Sequence, residues 1–124
     1  MQKSFVKEFK LYCKKKNLDV NSHQIKLIKT LEEYYKLNYK SFISKILSKK
    51  NYKKGFYLYG DVGVGKTMIL DFFFNLVEGK KLKLHFNEFM LSFHDFVHQS
   101  KGKNDENKIS KFVKKLKSKA KLIY

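Results

Sequence analysis

The chain has 124 residues, the length of one small domain, and carries 28 basic residues, all lysine, against 11 acidic ones, for a net charge of +17. With 43% hydrophobic residues, 12 Phe and 8 Tyr, it can bury a core, which excludes wholesale disorder, and a lone cysteine, Cys13, excludes an internal disulfide framework. No apolar run approaches the ~20 residues of a membrane-spanning helix, and the lysine-studded amino terminus has no signal core, so a reducing, cytoplasmic setting is expected.

In chain order, a basic segment places Phe5, Phe9 and Tyr12 at helical spacing and ends in a turn at Asn17. Asn21 and Gln24 stand at capping-box spacing, and Ile25, Ile28, Leu31 and Tyr35 continue an amphipathic helix to about Leu37. A shorter helix is expected around Phe42, Ile43, Ile46 and Leu47. The apolar run Phe56-Tyr57-Leu58-Tyr59, bounded by Gly55 and Gly60, predicts a short buried strand. A helix from Lys66 to Val77 follows, with Gly79 as its carboxy-terminal cap. Leu82, Leu84 and Phe86 alternate with polar residues as a second strand, and Phe89, Met90, Phe93 and Val97 mark a helix to about Ser100. After a polar loop at 101–107, a helix carries Ile109, Val113 and Leu116, and Leu122-Ile123-Tyr124 begin another strand. This alternation predicts an α/β fold with a parallel sheet flanked by helices, behind a helical amino-terminal segment. The expected division is a basic helical segment at 1–52 and the α/β part at 53–124.

Gly60-Asp61-Val62-Gly63-Val64-Gly65-Lys66-Thr67 matches the G-x-x-x-x-G-K-[ST] phosphate loop, with an apolar run before it and a helical pattern after it. Four fixed positions arise by chance about once in a few hundred chains of this length. The glycines let backbone N–H groups approach an anion, and the helix opening at Lys66 points its positive end at it. Lys66 is the candidate for the β- and γ-phosphates and the one residue here with a catalytic role, while the Thr67 hydroxyl is the candidate Mg²⁺ ligand. Residues 60–68, through Met68, make up the expected site for a nucleotide with Mg²⁺.

Other features point to weaker chemistry. His94 and His98 are four apart, with His85 and Glu88 nearby, but a zinc site needs three or four converging ligands. Cys13 in a lysine-rich stretch is open to a lowered pKa, against a plain incidental thiol. The +17 charge invites a nucleic-acid or membrane partner. Abundant Lys, Asn, Ile, Phe and Tyr with no Arg, Pro or Trp fits an AT-rich coding sequence better, since Arg is the usual bidentate reader of phosphate.

With these residues in view, the sequence resembles the ZapE family of AAA-type P-loop ATPases, which are related to the mitochondrial lactation-elevated ATPase. The resemblance covers roughly residues 20–124. It rests on the stretch from Gly55 to Met68, on Asp71-Phe72-Phe73, and on His85-Phe86-Asn87-Glu88-Phe89-Met90 continuing to His94 and His98. Gln24 also looks like the glutamine that precedes the core in such proteins. The resemblance implies ATP rather than GTP, which loop spacing alone leaves open. It also implies a protein partner at the division machinery, and a location that is cytoplasmic or peripheral at the inner membrane. In the family, the strand matching Ala120–Ile123 runs into the Walker B Asp-Glu pair, and this chain ends at Tyr124 before it. The family's sheet order would also set further strands beside Phe56–Tyr59. The expectation is therefore the amino-terminal part of such an ATPase, with hydrolysis to ADP and phosphate only in the full-length protein. Two alternatives stand beside it: a nucleotide- or partner-binding fragment without turnover, and a lysine-rich nucleic-acid adaptor.

Overall fold

The computed structural model describes residues 4–39, 55–100 and 107–124. The helix expected at Phe42–Leu47, the domain boundary at 52 and most of the polar loop at 101–107 lie outside them. The chain forms two compact units, Met1–Val77 and Glu78–Tyr124.

The first unit contains α1 (Phe5–Lys15), α2 (Ser22–Tyr39) and α3 (Lys66–Leu76). Helix α1 ends where Asn17 takes a left-handed φ of 51°. The Leu18 N–H then donates to the Cys13 carbonyl at 2.9 Å and the Asn17 N–H to the Lys14 carbonyl at 3.3 Å, the bond pair of a Schellman stop. Helix α2 opens with the expected capping box: Asn21 N–H donates to Gln24 Oε1 at 3.1 Å, and Gln24 N–H donates to Asn21 Oδ1 at 2.9 Å. These bonds satisfy backbone donors that a helix start otherwise leaves to water.

Phe5 and Phe9 are one turn apart on α1 and bury against α3, with Phe9 5.1 Å from Phe72 and Phe5 6.1 Å from Phe73, ring centre to ring centre. Ile28 and Leu31 of α2 and Ile69 of α3 complete this core. Cys13 is buried, and burial pushes its thiol up from its ordinary value. The lowered pKa considered for a lysine-rich setting is thus corrected: loss of water around a would-be thiolate outweighs the flanking charges.

The strand expected at Phe56–Tyr59 is absent. This stretch has no ladder, and Tyr57 and Tyr59 are 89% and 81% exposed. Phe56 meets Tyr34 of α2 at 4.8 Å, while Tyr57 and Tyr59 stack on each other at 6.4 Å. A strand needs a neighbour's N–H and C=O groups, and no described strand pairs with this one.

The second unit consists of β1 (Lys81–Leu82), α4 (Phe86–Gln99), α5 (Lys108–Lys119) and β2 (Leu122–Ile123). The strands pair in parallel, Lys81 with Leu122 and Leu82 with Ile123. Flanking bonds lengthen the pairing: Leu84 N–H to the Tyr124 carbonyl at 2.7 Å and Lys121 N–H to the Lys80 carbonyl at 2.8 Å. Parallel strands need a crossover, and here α4 and α5 supply it. β1 is shorter than expected because Phe86 begins α4. The switch occurs where His85 N–H donates to Glu88 Oε2 at 3.2 Å.

Helix α5 is held by Phe112, which sits among Phe89, Phe93 and Phe96 of α4 at 5.2–5.7 Å. Ile109 and Val113, expected on the buried face, are exposed, so the apolar stripe packs through its Phe112 edge. Among the described residues, no helix is long and apolar enough to cross a membrane.

Candidate functional site

The loop from Gly60 to Gly65 turns directly into α3. Gly60, Gly63 and Gly65 all have positive φ, at 147°, 85° and 83°. Gly65 is the N-cap of α3 and is left-handed there, and no side chain caps this helix end. The first α3-closing bond runs from Ile69 N–H to the Gly65 carbonyl at 3.0 Å. The earlier N–H groups of the first turn therefore have no acceptor within the helix, and the dipole's positive end adds to them. An anion is the natural acceptor for such a set.

Lys66 folds back over the loop. Its Nζ donates to the Gly60 carbonyl at 2.8 Å and to the Asp61 carbonyl. An ammonium has three donors, so two brace the loop while the third stays available for a further oxygen. Thr67 follows with its side chain exposed at the helix start. Gly63 is open, with nothing within 4 Å of the place a Cβ would take.

Gly65 is crowded instead. A Cβ there would stand 3.2 Å from Gln24 Nε2 and 3.4 Å from Met68 Cε. Gly65→Ala is expected to destabilise the chain by about 1–3 kcal/mol, because a side chain is strained at this φ and has no room. Gly63→Ala is expected to cost less, since only the backbone strain remains. Urea unfolding of the two variants side by side checks the order.

The same contact ties the loop to the start of α2. A cavity of about 250 Å³ lies between them. Asn21, His23, Gln24 and Lys66 supply its polar lining, and Leu27, Leu58 and Ile69 much of its apolar wall. The structure thus brings the sequence-predicted loop together with Gln24, which the resemblance also singled out. His23 and Leu27 lack any motif of their own. Their one sequence signal is position, in the first turns of the helix that the Asn21–Gln24 spacing starts.

The histidines do not converge. His85, His94 and His98 are exposed, and Glu88 is engaged at the start of α4. Among the described residues, no three His, Cys, Asp or Glu side chains cluster as a metal site would need.

Comparison with known proteins adds the following. A family model described as AFG1-like ATPase matches residues 9–124. Lactation elevated protein 1 homolog B of Danio rerio is 43% identical over 67 residues, covering 53% of this chain and 13% of that protein. Cell division protein ZapE of Escherichia coli (strain K12) is 40% identical over 53 residues, 42% of this chain and 14% of that protein. The match thus spans about a seventh of either relative's length. No solved structure matches the chain.

Proposed function

The chain belongs to the AFG1-like ATPase family, and from that premise we propose that it binds ATP with Mg²⁺ at Gly60–Thr67. The observation that carries this reading is the uncapped start of α3 behind a loop whose glycines take positive φ and whose Lys66 braces it from inside. In this reading, the loop and first-turn N–H groups of α3 surround the β-phosphate. Lys66 keeps its two loop carbonyls and turns its third donor to a phosphate oxygen. The ammonium also offsets phosphate charge where the loop brings it close.

A hard cation takes oxygen ligands and keeps several waters, so one threonine hydroxyl together with phosphate oxygens suits Mg²⁺. When bound, the ion would neutralise charge on the β- and γ-phosphates. Thr67, exposed at the helix start, would hold it.

Turnover needs more than this loop. An acid must hold or orient the attacking water, and among the described residues the cavity lining beside the loop has no carboxylate. Hydrolysis to ADP and phosphate is therefore proposed for the full-length family protein, with its energy spent on remodelling a protein partner. A role in cell division is suggested by the name of the Escherichia coli relative. Binding without turnover is the second reading for the 124-residue chain, favoured by that same lining. Calorimetric titration with ATP, with and without Mg²⁺, tests the core of the proposal. ATP should bind, and more tightly with the metal. No binding up to about 1 mM ATP, the upper end of ordinary enzyme affinities, sinks it.

A further inference from the structure

Helix α5 carries a face that its packing against α4 leaves exposed. From Lys108 to Tyr124 the chain holds seven lysines and no acidic residue. Phe112 fixes one edge of the helix against α4, and the Lys115 ammonium lies over the Phe96 ring at 5.4 Å, so both belong to the packed side. Ile109, Val113 and Lys117 recur every four residues, which lines them up along the helix surface. Ile109 is 67% and Val113 40% exposed, and Lys114 and Lys117 are exposed as well. Two aliphatic side chains thus stand among ammonium groups on a helix about 18 Å long.

Positive charge alone suits any polyanion, so the aliphatic pair decides between them. A nucleic acid is gripped by basic side chains together with aromatic or guanidinium platforms that stack on bases. This chain has no Arg, and the aromatic residue of α5, Phe112, is buried. Exposed Ile109 and Val113 gain nothing from a phosphate backbone. An anionic bilayer surface uses both chemistries: lipid phosphates meet the ammonium groups, and the aliphatic side chains leave water among the acyl chains below. Two aliphatic side chains are too few to hold a neutral bilayer, so the lysines and negatively charged headgroups must supply the rest. We infer that α5 lies along the surface of an anionic lipid bilayer, with Ile109 and Val113 inserted at headgroup depth and Lys114 and Lys117 on lipid phosphates. This lipid-facing surface is independent of the nucleotide reading above.

The experiment mixes the full chain with vesicles of phosphatidylcholine, alone or with about 30% phosphatidylglycerol, and measures cosedimentation. Since the chain has no Trp, Val113→Trp places a fluorophore on the face while keeping it apolar. Wild type should bind the anionic vesicles and not the neutral ones, and Val113→Trp emission should shift to the blue on binding. Ile109→Ser with Val113→Ser, which leaves the charge untouched, should lose about tenfold in affinity. Lys114→Glu with Lys117→Glu should lose at least about tenfold. Lys7→Glu with Lys10→Glu, the same charge change on α1, should lose clearly less. Circular dichroism confirms the fold of each variant, and if an α5 double variant does not fold, the Val113→Trp emission decides. Wild type that ignores anionic vesicles overturns the inference. So do equal losses from the two charge reversals, which would leave net charge as the cause. Unchanged binding by the folded serine variant, or an unshifted emission from vesicle-bound Val113→Trp, overturns it too. Tighter binding to duplex DNA than to anionic vesicles, with no blue shift on the vesicles, replaces the lipid surface with a nucleic acid.

Discussion

Lys66→Ala is expected to weaken ATP binding by about 10- to 100-fold while leaving the fold intact. A hydrogen bond to a charged group contributes about 1.5–3 kcal/mol, and the change removes the ammonium that would meet the phosphate. It also frees the Gly60 and Asp61 carbonyls, which Nζ now holds, so the loop loses its internal brace before any ligand arrives. Lys66 is not part of the buried core, which is why thermal unfolding should change little. Lys66→Arg separates the two roles. Arginine keeps the charge, but its planar fork does not reproduce a compact ammonium between two carbonyls, so partial recovery of binding at most is expected. Calorimetry checks the affinities and circular dichroism the fold. Unchanged ATP binding in Lys66→Ala would remove the phosphate loop from the site.

Phe112→Ala should be the most damaging single change in the second unit. Phe112 is 4% exposed, and its ring meets three phenylalanines of α4. Truncating a buried Phe to Ala costs about 3–5 kcal/mol, a large share of the roughly 5–15 kcal/mol that holds a typical domain together. Ile109→Ala, one turn earlier on the same helix, removes a side chain that is 67% exposed and should change stability by at most ~0.5 kcal/mol. Amide hydrogen exchange reads the contrast directly. In Phe112→Ala the amides of Phe86–Gln99 should lose protection, and in Ile109→Ala they should keep it. Equal protection in both variants would show that α5 is held by something other than this aromatic cluster.

Helical spacing and local chemistry carried much of the architecture into the sequence. The Asn21–Gln24 spacing announced the start of α2 and Asn17 the end of α1, because caps and stops are made by residues within a few positions of each other. Both strands of the second unit were visible as short apolar runs, though the onset of α4 at Phe86 was not. Where periodicity misled, the cause was a choice between nearly equal faces. On α5, Ile109, Phe112, Val113 and Leu116 all lie on one broad stripe, and the aromatic rings of α4 favour its Phe112 edge. Phe56–Tyr59 has the composition of a strand, yet composition cannot supply the neighbouring backbone that a strand requires.

By itself, the sequence determined the phosphate-loop motif, the opening cap of α2, the stop of α1 and the two short strands of the second unit, since each depends on residues close together along the chain. It did not determine the end of α3, which stops at Leu76 with Val77 extended rather than at a Gly79 cap. The tertiary structure alone decided what stands beside the loop. Gln24 and Gly65 are 41 positions apart, and only the packing of α2 against α3 brings an amide nitrogen to 3.2 Å from where a Cβ would stand. The same packing encloses the cavity lined by His23 and Leu27. Contacts across such a separation depend on how buried faces dock, which no local spacing records.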